Sequence, residues 1–336
     1  MNSSAGVAGR EKTGAPRAPR LPRIGFVYGF ASGVLWGLDG IVLGIVLGMA
    51  PFAGGSAVSA PLAVAVLHDA ASCLWMLVFD GATGRLGQFR RLFASRRGRV
   101  IWLAALFGGP IAMSGYVYGI RFAGAAYTLA ISATYPAVGT LLAVVFLRER
   151  VTRIGWLGVF VTMAGAILVT YTPPEGPPEH FYLGIGLALL ATFGWGVEGV
   201  LAIHSMEVID AAVAGTIRMA TSVVIYFALV IPLTGGYAMI WEALQAPSLR
   251  ILALGGIAGA GAYLSYYAAN HLIGASRAMP LNAMYALWAI LFGVVFTGLH
   301  PTWQLVVGVL VTLSGAILVV NAAPAPLLEA ERPAHE

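Results

Sequence analysis

Ten apolar runs of about twenty residues follow one another along this chain, at 24–48, 59–79, 100–120, 124–147, 153–171, 182–203, 211–233, 250–271, 276–297 and 302–321. A helix of about twenty apolar residues crosses the ~30 Å hydrocarbon layer of a bilayer. Each run is therefore predicted to be a membrane-spanning helix, whose backbone satisfies its own hydrogen bonds in lipid. The chain is predicted to be an all-α membrane protein. Its composition agrees: 59% of residues are apolar and 10% charged, whereas soluble domains carry about a quarter charged residues. That excludes an ordinary soluble enzyme. Residues 1–23 are polar, with five basic residues and three prolines, and are read as a disordered tail. They are not read as a signal peptide, because the apolar run that follows is too long and holds Trp36 and Asp39. Residues 322–336 form a second polar tail, acidic in character.

Arginine placement sets the expected orientation. The first tail, the 80–99 loop (Arg85, Arg90, Arg91, Arg96, Arg97, Arg99) and the 148–153 loop (Arg148, Arg150, Arg153) fall on one side of alternating spans. Only Arg121 and Arg250 lie near loops of the other side. Both termini are thus expected in the cytoplasm, in a multi-pass protein of a bacterial inner membrane. An anionic lipid leaflet accounts for the basic loops, and no nucleic-acid partner is called for.

The chain also repeats itself. Gly158–Val169 reads GVFVTMAGAILV and Gly308–Val319 reads GVLVTLSGAILV, nine matches in twelve at an offset of 150. The same offset pairs Tyr116 with Tyr266, Gly124 with Gly274, Tyr135 with Tyr285, and Ser72 with Ser222. In the first span the offset becomes 159, and Trp36-Gly37-Leu38-Asp39-Gly40 meets Trp195-Gly196-Val197-Glu198-Gly199. The nine-residue difference falls near Ala53–Pro61. Two five-span units, 24–171 and 182–321, follow. Five is odd, so the second unit enters the membrane from the opposite side, which is the inverted-repeat plan of many secondary transporters, with a site near the midplane between the halves.

Ionisable residues inside spans are costly and mark functional candidates. There are five: Asp39, His68, Asp69, Glu198 and Arg218. Each of Asp39 and Glu198 follows a tryptophan by three residues, so Trp36 with Asp39 and Trp195 with Glu198 share helix faces, which Ser32 and Thr192 continue. An indole face attracts a cation, and a nearby carboxylate offsets the cost of desolvating it. Glu198 and Arg218 reach similar depths on consecutive spans, so Glu198 either faces cargo or closes an ion pair with Arg218. His68 is a candidate for a coupling proton or for a cross-helix hydrogen bond. Being adjacent, His68 and Asp69 point ~100° apart. Three interior acids against one arginine favour a cationic cargo or bound protons and disfavour an anion. In the ninth span Asn282, Tyr285 and Trp288 share a face, and Tyr135, Tyr266 and Tyr267 add further mid-span aromatics. Pro110, Pro136 and Pro280 lie inside spans, where they can break helices that line a cavity. No catalytic or cofactor motif stands out. Gly108-Gly109-Pro110 lacks the lysine of a phosphate loop, and the single cysteine, Cys73, excludes a disulfide framework and cysteine-based metal sites.

The repeated Trp-Gly-x-acid, Tyr135-Pro136-Ala137 with Leu141-Leu142-Ala143, and the Gly-Ala-Ile-Leu-Val span ends resemble the drug/metabolite transporter superfamily, EamA branch, over residues 24–321. Pro51-Phe52, His68-Asp69, Gly109-Pro110-Ile111, Trp195-Gly196-x-Glu198, Tyr266-Tyr267 and Asn282-x-x-Tyr285-x-x-Trp288 resemble more narrowly the LicB-type choline permeases. That resemblance implies proton-coupled secondary transport of a quaternary ammonium by alternating access, with Trp36, Tyr116, Trp195, Glu198, Tyr285 and Trp288 at the site. Asp39 and the longer Ala53–Pro61 loop depart from it, and an added acid beside the cage allows a different cation. Two alternatives stay open from sequence: an EamA-type exporter of amino acids or other metabolites, and a membrane sensor or structural protein that does not transport.

Overall fold

The computed structural model describes residues 23–90, 95–146, 152–171, 177–206, 208–273 and 275–322. The two polar tails, apart from Arg23 and Ala322, lie outside the described residues, as do Arg91, Arg148 and Arg150 of the basic loops. The described residues are helical, without strands. Ten apolar rods stand where ten apolar runs were read. α1 is Arg23–Leu47, α2 Ser59–Ala82, α5 Arg153–Tyr171, α6 Phe181–Met206, α8 Ser248–Ile273 and α10 Trp303–Ala322. α3 runs through Arg96–Leu106, a π turn at Phe107–Ile111 and Ala112–Ala123. α4 is broken into Ala125–Ser132 and Tyr135–Phe146, and α9 into Ala275–Ala283 and Tyr285–Thr297. α7 comprises Ala211–Ile225, a π turn at Tyr226–Val230 and Ile231–Thr234, and a short helix, Tyr237–Gln245, follows it before α8. Eight of the rods are long and apolar enough to cross a membrane, and α5 and α10 are shorter apolar helices. Their outward faces carry large apolar side chains such as Leu74, Val145, Phe160, Phe193 and Leu254, all exposed, as a lipid-facing surface requires.

The two five-helix units are inverted repeats, and their packing repeats with them. A Cβ placed on Gly165 of α5 would lie 2.8 Å from the Gly308 carbonyl oxygen of α10, and one placed on Gly315 of α10 would lie 2.7 Å from the Gly158 carbonyl oxygen of α5. Thr312 and Thr162 complete the two contacts. The GVxVTxxGAILV motif therefore repeats because each copy packs on the other across the pseudo-twofold axis, with glycine permitting backbone-to-backbone approach. The first helices behave alike: Gly37 of α1 sits against Trp288 of α9, and Gly196 of α6 against Val138 of α4, again counterparts at the two offsets.

The helix breaks are also related by the repeat. α4 resumes at Tyr135 and α9 at Tyr285. In α4 the cause is local, since Pro136 has no N–H to give and its ring crowds the carbonyl four residues back, at Ser132. Interrupted helices at corresponding points of two repeats are where such folds place a binding site.

Both ends of the bundle are tied. At the end holding residues 48–58, Arg121 donates to the Leu47 and Ala53 carbonyls, at 3.4 Å each, Tyr118 donates to Val58 O at 2.6 Å and Ser248 to Ala50 O at 2.9 Å. The extra residues of the first loop are thus laid over α3 and α8. At the other end Thr216 of α7 donates to the buried Asp80 of α2 at 2.7 Å. Beside it Asp210 caps α7 through the Ala212 N–H at 2.9 Å and lies 3.6 Å from Arg85. Asp80 Oδ1 has no hydrogen-bond partner among the described residues, so Thr216 is the side chain that satisfies this carboxylate. Thr216→Val should destabilise the protein by about 1–3 kcal/mol, read as a lower melting temperature in detergent. An unchanged melting temperature would show that the α2–α7 tie does not form.

Candidate functional site

Between the halves lies a cavity with about 340 Å³ of empty space, part of it continuous with the surroundings. Its walls are Trp36 from α1, Tyr135 from α4, Trp195 and Glu198 from α6, Ala262, Tyr263 and Tyr266 from α8, and Asn282 and Tyr285 from α9. Six aromatic rings and one carboxylate thus converge from five helices. Trp36 is the hub. Its ring meets Tyr263 edge-on at 4.9 Å between centroids and Trp195 edge-on at 5.4 Å, with Tyr285 at 6.4 Å. Tyr135 and Tyr266 meet edge-on at 6.4 Å. Edge-to-face packing fixes ring orientation, so the cage is preformed.

Hydrogen bonds lock the walls. Trp195 Nε1 donates to Gly108 O at 3.2 Å, in the π turn of α3. Tyr135 OH donates to Asn282 Oδ1 at 3.0 Å, Asn282 Nδ2 donates to Ser32 Oγ at 3.1 Å, and Tyr285 OH donates to Ser132 Oγ at 2.9 Å. Gly108 leaves room for the Glu198 carboxylate, which any Cβ there would strike.

Behind the cage runs a buried chain of charges. Glu198 Oε1 accepts from Arg218 Nε at 2.8 Å and from Tyr267 OH at 3.0 Å. The Arg218 guanidinium lies over the Tyr263 ring, 4.5 Å from its centroid. Arg218 Nη1 is 3.8 Å from Asp69. Asp69 accepts from Ser222 Oγ and lies 3.1 Å from His68 Nδ1. His68 Nε2 in turn lies 3.1 Å from Asp39 Oδ2. All five ionisable side chains are at most 4% exposed. In so dry a setting charges must be paired, and every one of these has a partner.

The sequence candidates take four different places. Trp36, Trp195, Glu198, Asn282 and Tyr285 line the cavity. Asp39, His68, Asp69 and Arg218 form the chain of charges and do not line it; in particular Asp39 shares a face with Trp36 by spacing, yet its carboxylate is held by His68. Tyr116 is fully buried against Trp195 at 5.0 Å and backs the cage rather than lining it. Trp288 lies outside, edge-on to Phe30 at 5.7 Å and stacked with Phe292 at 6.0 Å. Two wall residues have no place in the sequence reading, Ala262 and the aromatic Tyr263. One turn before Tyr266 on the same face of α8, Tyr263 could have been found from that i, i+3 spacing.

Both halves of the chain match the EamA-like transporter family, over residues 23–171 and 182–321. The chain belongs to that family. It is therefore a multi-pass membrane transport protein built on the drug/metabolite transporter plan. It is also similar to Protein LicB of Haemophilus influenzae (strain ATCC 51907 / DSM 11121 / KW20 / Rd), at 26% identity over 283 residues, covering 80% of this chain and 88% of that protein. A solved crystal structure superposes with a TM-score of 0.60 at 18% identity, over 89% of this chain and 97% of the other, a likeness of fold.

Proposed function

We propose that this EamA-family protein is a secondary active transporter of a small organic cation, a choline-like quaternary ammonium being the best fit, driven by proton coupling through alternating access. The observation that carries this reading is the cavity wall itself: six aromatic rings beside Glu198, with no lysine or arginine on it. Ring faces and a carboxylate attract a cation, and a methylated ammonium, which cannot use many hydrogen-bond acceptors, is the cation such a cage suits best. An anionic cargo would meet the same surface with repulsion. The likeness to LicB supports the same choice of cargo class. On this reading the protein lies in a bacterial inner membrane with both termini on the cytoplasmic side, an orientation that the arginine-rich loops favour.

Fluorescence titration of the purified protein with choline tests it, because Trp36 and Trp195 report on the cavity. Trp36→Ala should weaken choline about tenfold, a loss of the ~1–2 kcal/mol expected for a desolvated cation–π contact. Trp288→Ala, whose ring lies outside the cavity, should leave affinity unchanged. Equal affinity in wild type and Trp36→Ala would rule out a cage centred on Trp36. Tighter binding of an amino acid than of choline would transfer the cargo assignment to the metabolite exporters.

A further inference from the structure

The polar interior follows the internal repeat with one chemical change. At the 150-residue offset His68 is the counterpart of Arg218, just as Ser72 is of Ser222, and at the 159-residue offset Asp39 is the counterpart of Glu198. The contacts repeat as well. His68 Nε2 lies 3.1 Å from Asp39, and Arg218 Nε lies 2.8 Å from Glu198. Gly259 packs on Ser72 and His68, and its counterpart Gly109 packs on Ser222. Each half thus supplies one acid from its first helix and one base from its second. The guanidinium stays charged at any physiological pH, whereas an imidazole can gain and lose its proton there. Asp69, whose counterpart is Met219, joins the two pairs by lying 3.1 Å from His68 and 3.8 Å from Arg218.

From this geometry we infer that His68 carries the proton of the transport cycle and that the two halves divide the work, the second holding cargo beside a fixed-charge pair and the first holding the proton at a titratable one. This rests on the cation-transport reading above. With His68 neutral, the three carboxylates Asp39, Asp69 and Glu198 face one guanidinium, and two negative charges are uncompensated. With His68 protonated, one remains, which a monovalent cargo cation would balance. Occupancy of His68 is felt at the cavity through Asp69, which divides its contacts between the two bases, and the Asp69–Arg218 link is the longest in the chain at 3.8 Å. A proton on His68 draws Asp69 towards it and frees Arg218 to lean on Glu198, the one charged wall of the cavity.

His68 itself meets Asp39 of α1 and Asp69 and Ser72 of α2, and the groups that face these two acids are Cys73 of α2, Tyr116 of α3, Arg218, Ser222 and Tyr226 of α7, and Tyr263 of α8.

The test compares wild type with His68→Arg, which recreates in the first half the pair already present in the second. Full-length protein in proteoliposomes is given choline. Wild type should accumulate choline when a pH gradient is imposed, and its choline affinity should change with pH across the range in which the folded protein is stable. His68→Arg should keep choline–choline exchange, lose gradient-driven accumulation, and bind with no pH dependence over that range. His68→Gln, which carries no charge, makes the same comparison if the larger guanidinium is not accommodated beside Gly259. Gradient-driven accumulation in either variant overturns the assignment. A second arm needs no cargo: melting temperature against pH for the ligand-free protein should vary in wild type and flatten in His68→Arg, and identical profiles overturn the assignment. Failure of the cargo reading looks different, as wild type that neither binds nor exchanges choline, and the melting profiles then still decide whether His68 titrates.

Discussion

Arg218→Ala should destabilise the protein by about 3–5 kcal/mol, the range for removing one partner of a buried ion pair. The guanidinium is fully buried, and its loss leaves Glu198 facing a dry cage with only Tyr267 as a donor. Glu198→Gln should be nearly as damaging, because the only carboxylate then left to Arg218 is Asp69 at 3.8 Å, with the Tyr263 ring face and the Met219 sulfur beside it. The double variant Glu198→Gln with Arg218→Met removes both charges together and should recover most of the melting temperature, since a buried pair replaced as a unit costs little. Choline affinity should not recover with it. That split separates the two roles of Glu198, which is at once a structural partner through Oε1 and a wall of the cavity. A double variant as unstable as the sum of the singles would show that the two side chains do not act as a pair. A stable double variant that binds choline like wild type would remove Glu198 from the site.

The second large effect lies far from the cavity. Gly165→Leu and Gly315→Leu should each destabilise the α5–α10 seam by about 3 kcal/mol, the upper end for overpacking a close contact, and by similar amounts. The similarity is the informative part, because a Cβ at either position meets the opposing backbone: the Gly308 oxygen at 2.8 Å in one case and the Gly158 oxygen at 2.7 Å in the other. The measurement is the melting temperature in detergent of the two single variants. A large loss in one and none in the other would contradict the symmetric packing. Gly186, where an added Cβ meets nothing within 4 Å, gives the control, and Gly186→Leu should melt like wild type.

Much of the architecture was legible in the residues. Ten apolar runs became ten rods because a backbone in hydrocarbon has few alternatives to a helix. The duplicated GVxVTxxGAILV and Trp-Gly-x-acid stretches revealed the repeat, and an odd number of spans per copy inverts it. The acids beside tryptophans pointed to a cationic cargo, and Trp36, Trp195, Glu198, Asn282 and Tyr285 do line one cavity. The Glu198–Arg218 pair was one of two alternatives left open by depth along the spans; the pair forms, and Glu198 also lines the cavity.

Other assignments needed the packed helices. In a soluble protein the apolar face of a helix points inward, so the pattern itself reports orientation. Here lipid is as apolar as the interior, and a tryptophan suits either side. Spacing alone put Trp288 on the face of Tyr285 and Asn282, yet its ring lies against Phe30 and Phe292, and Tyr263 takes a place in the wall. The same limit applies to the charges. Neighbours on one helix point ~100° apart, so nothing local to His68-Asp69 says which helices they meet. The crossing of α1, α2, α7 and α8 brings Asp39 to one side of His68 and sets Asp69 between His68 and Arg218. The sequence carries element type, number and symmetry because these follow from local hydrophobicity and from self-similarity. Which face meets the cavity, and which charge meets which, follow from helix packing in an apolar solvent, where hydrophobic pattern no longer tells inside from outside.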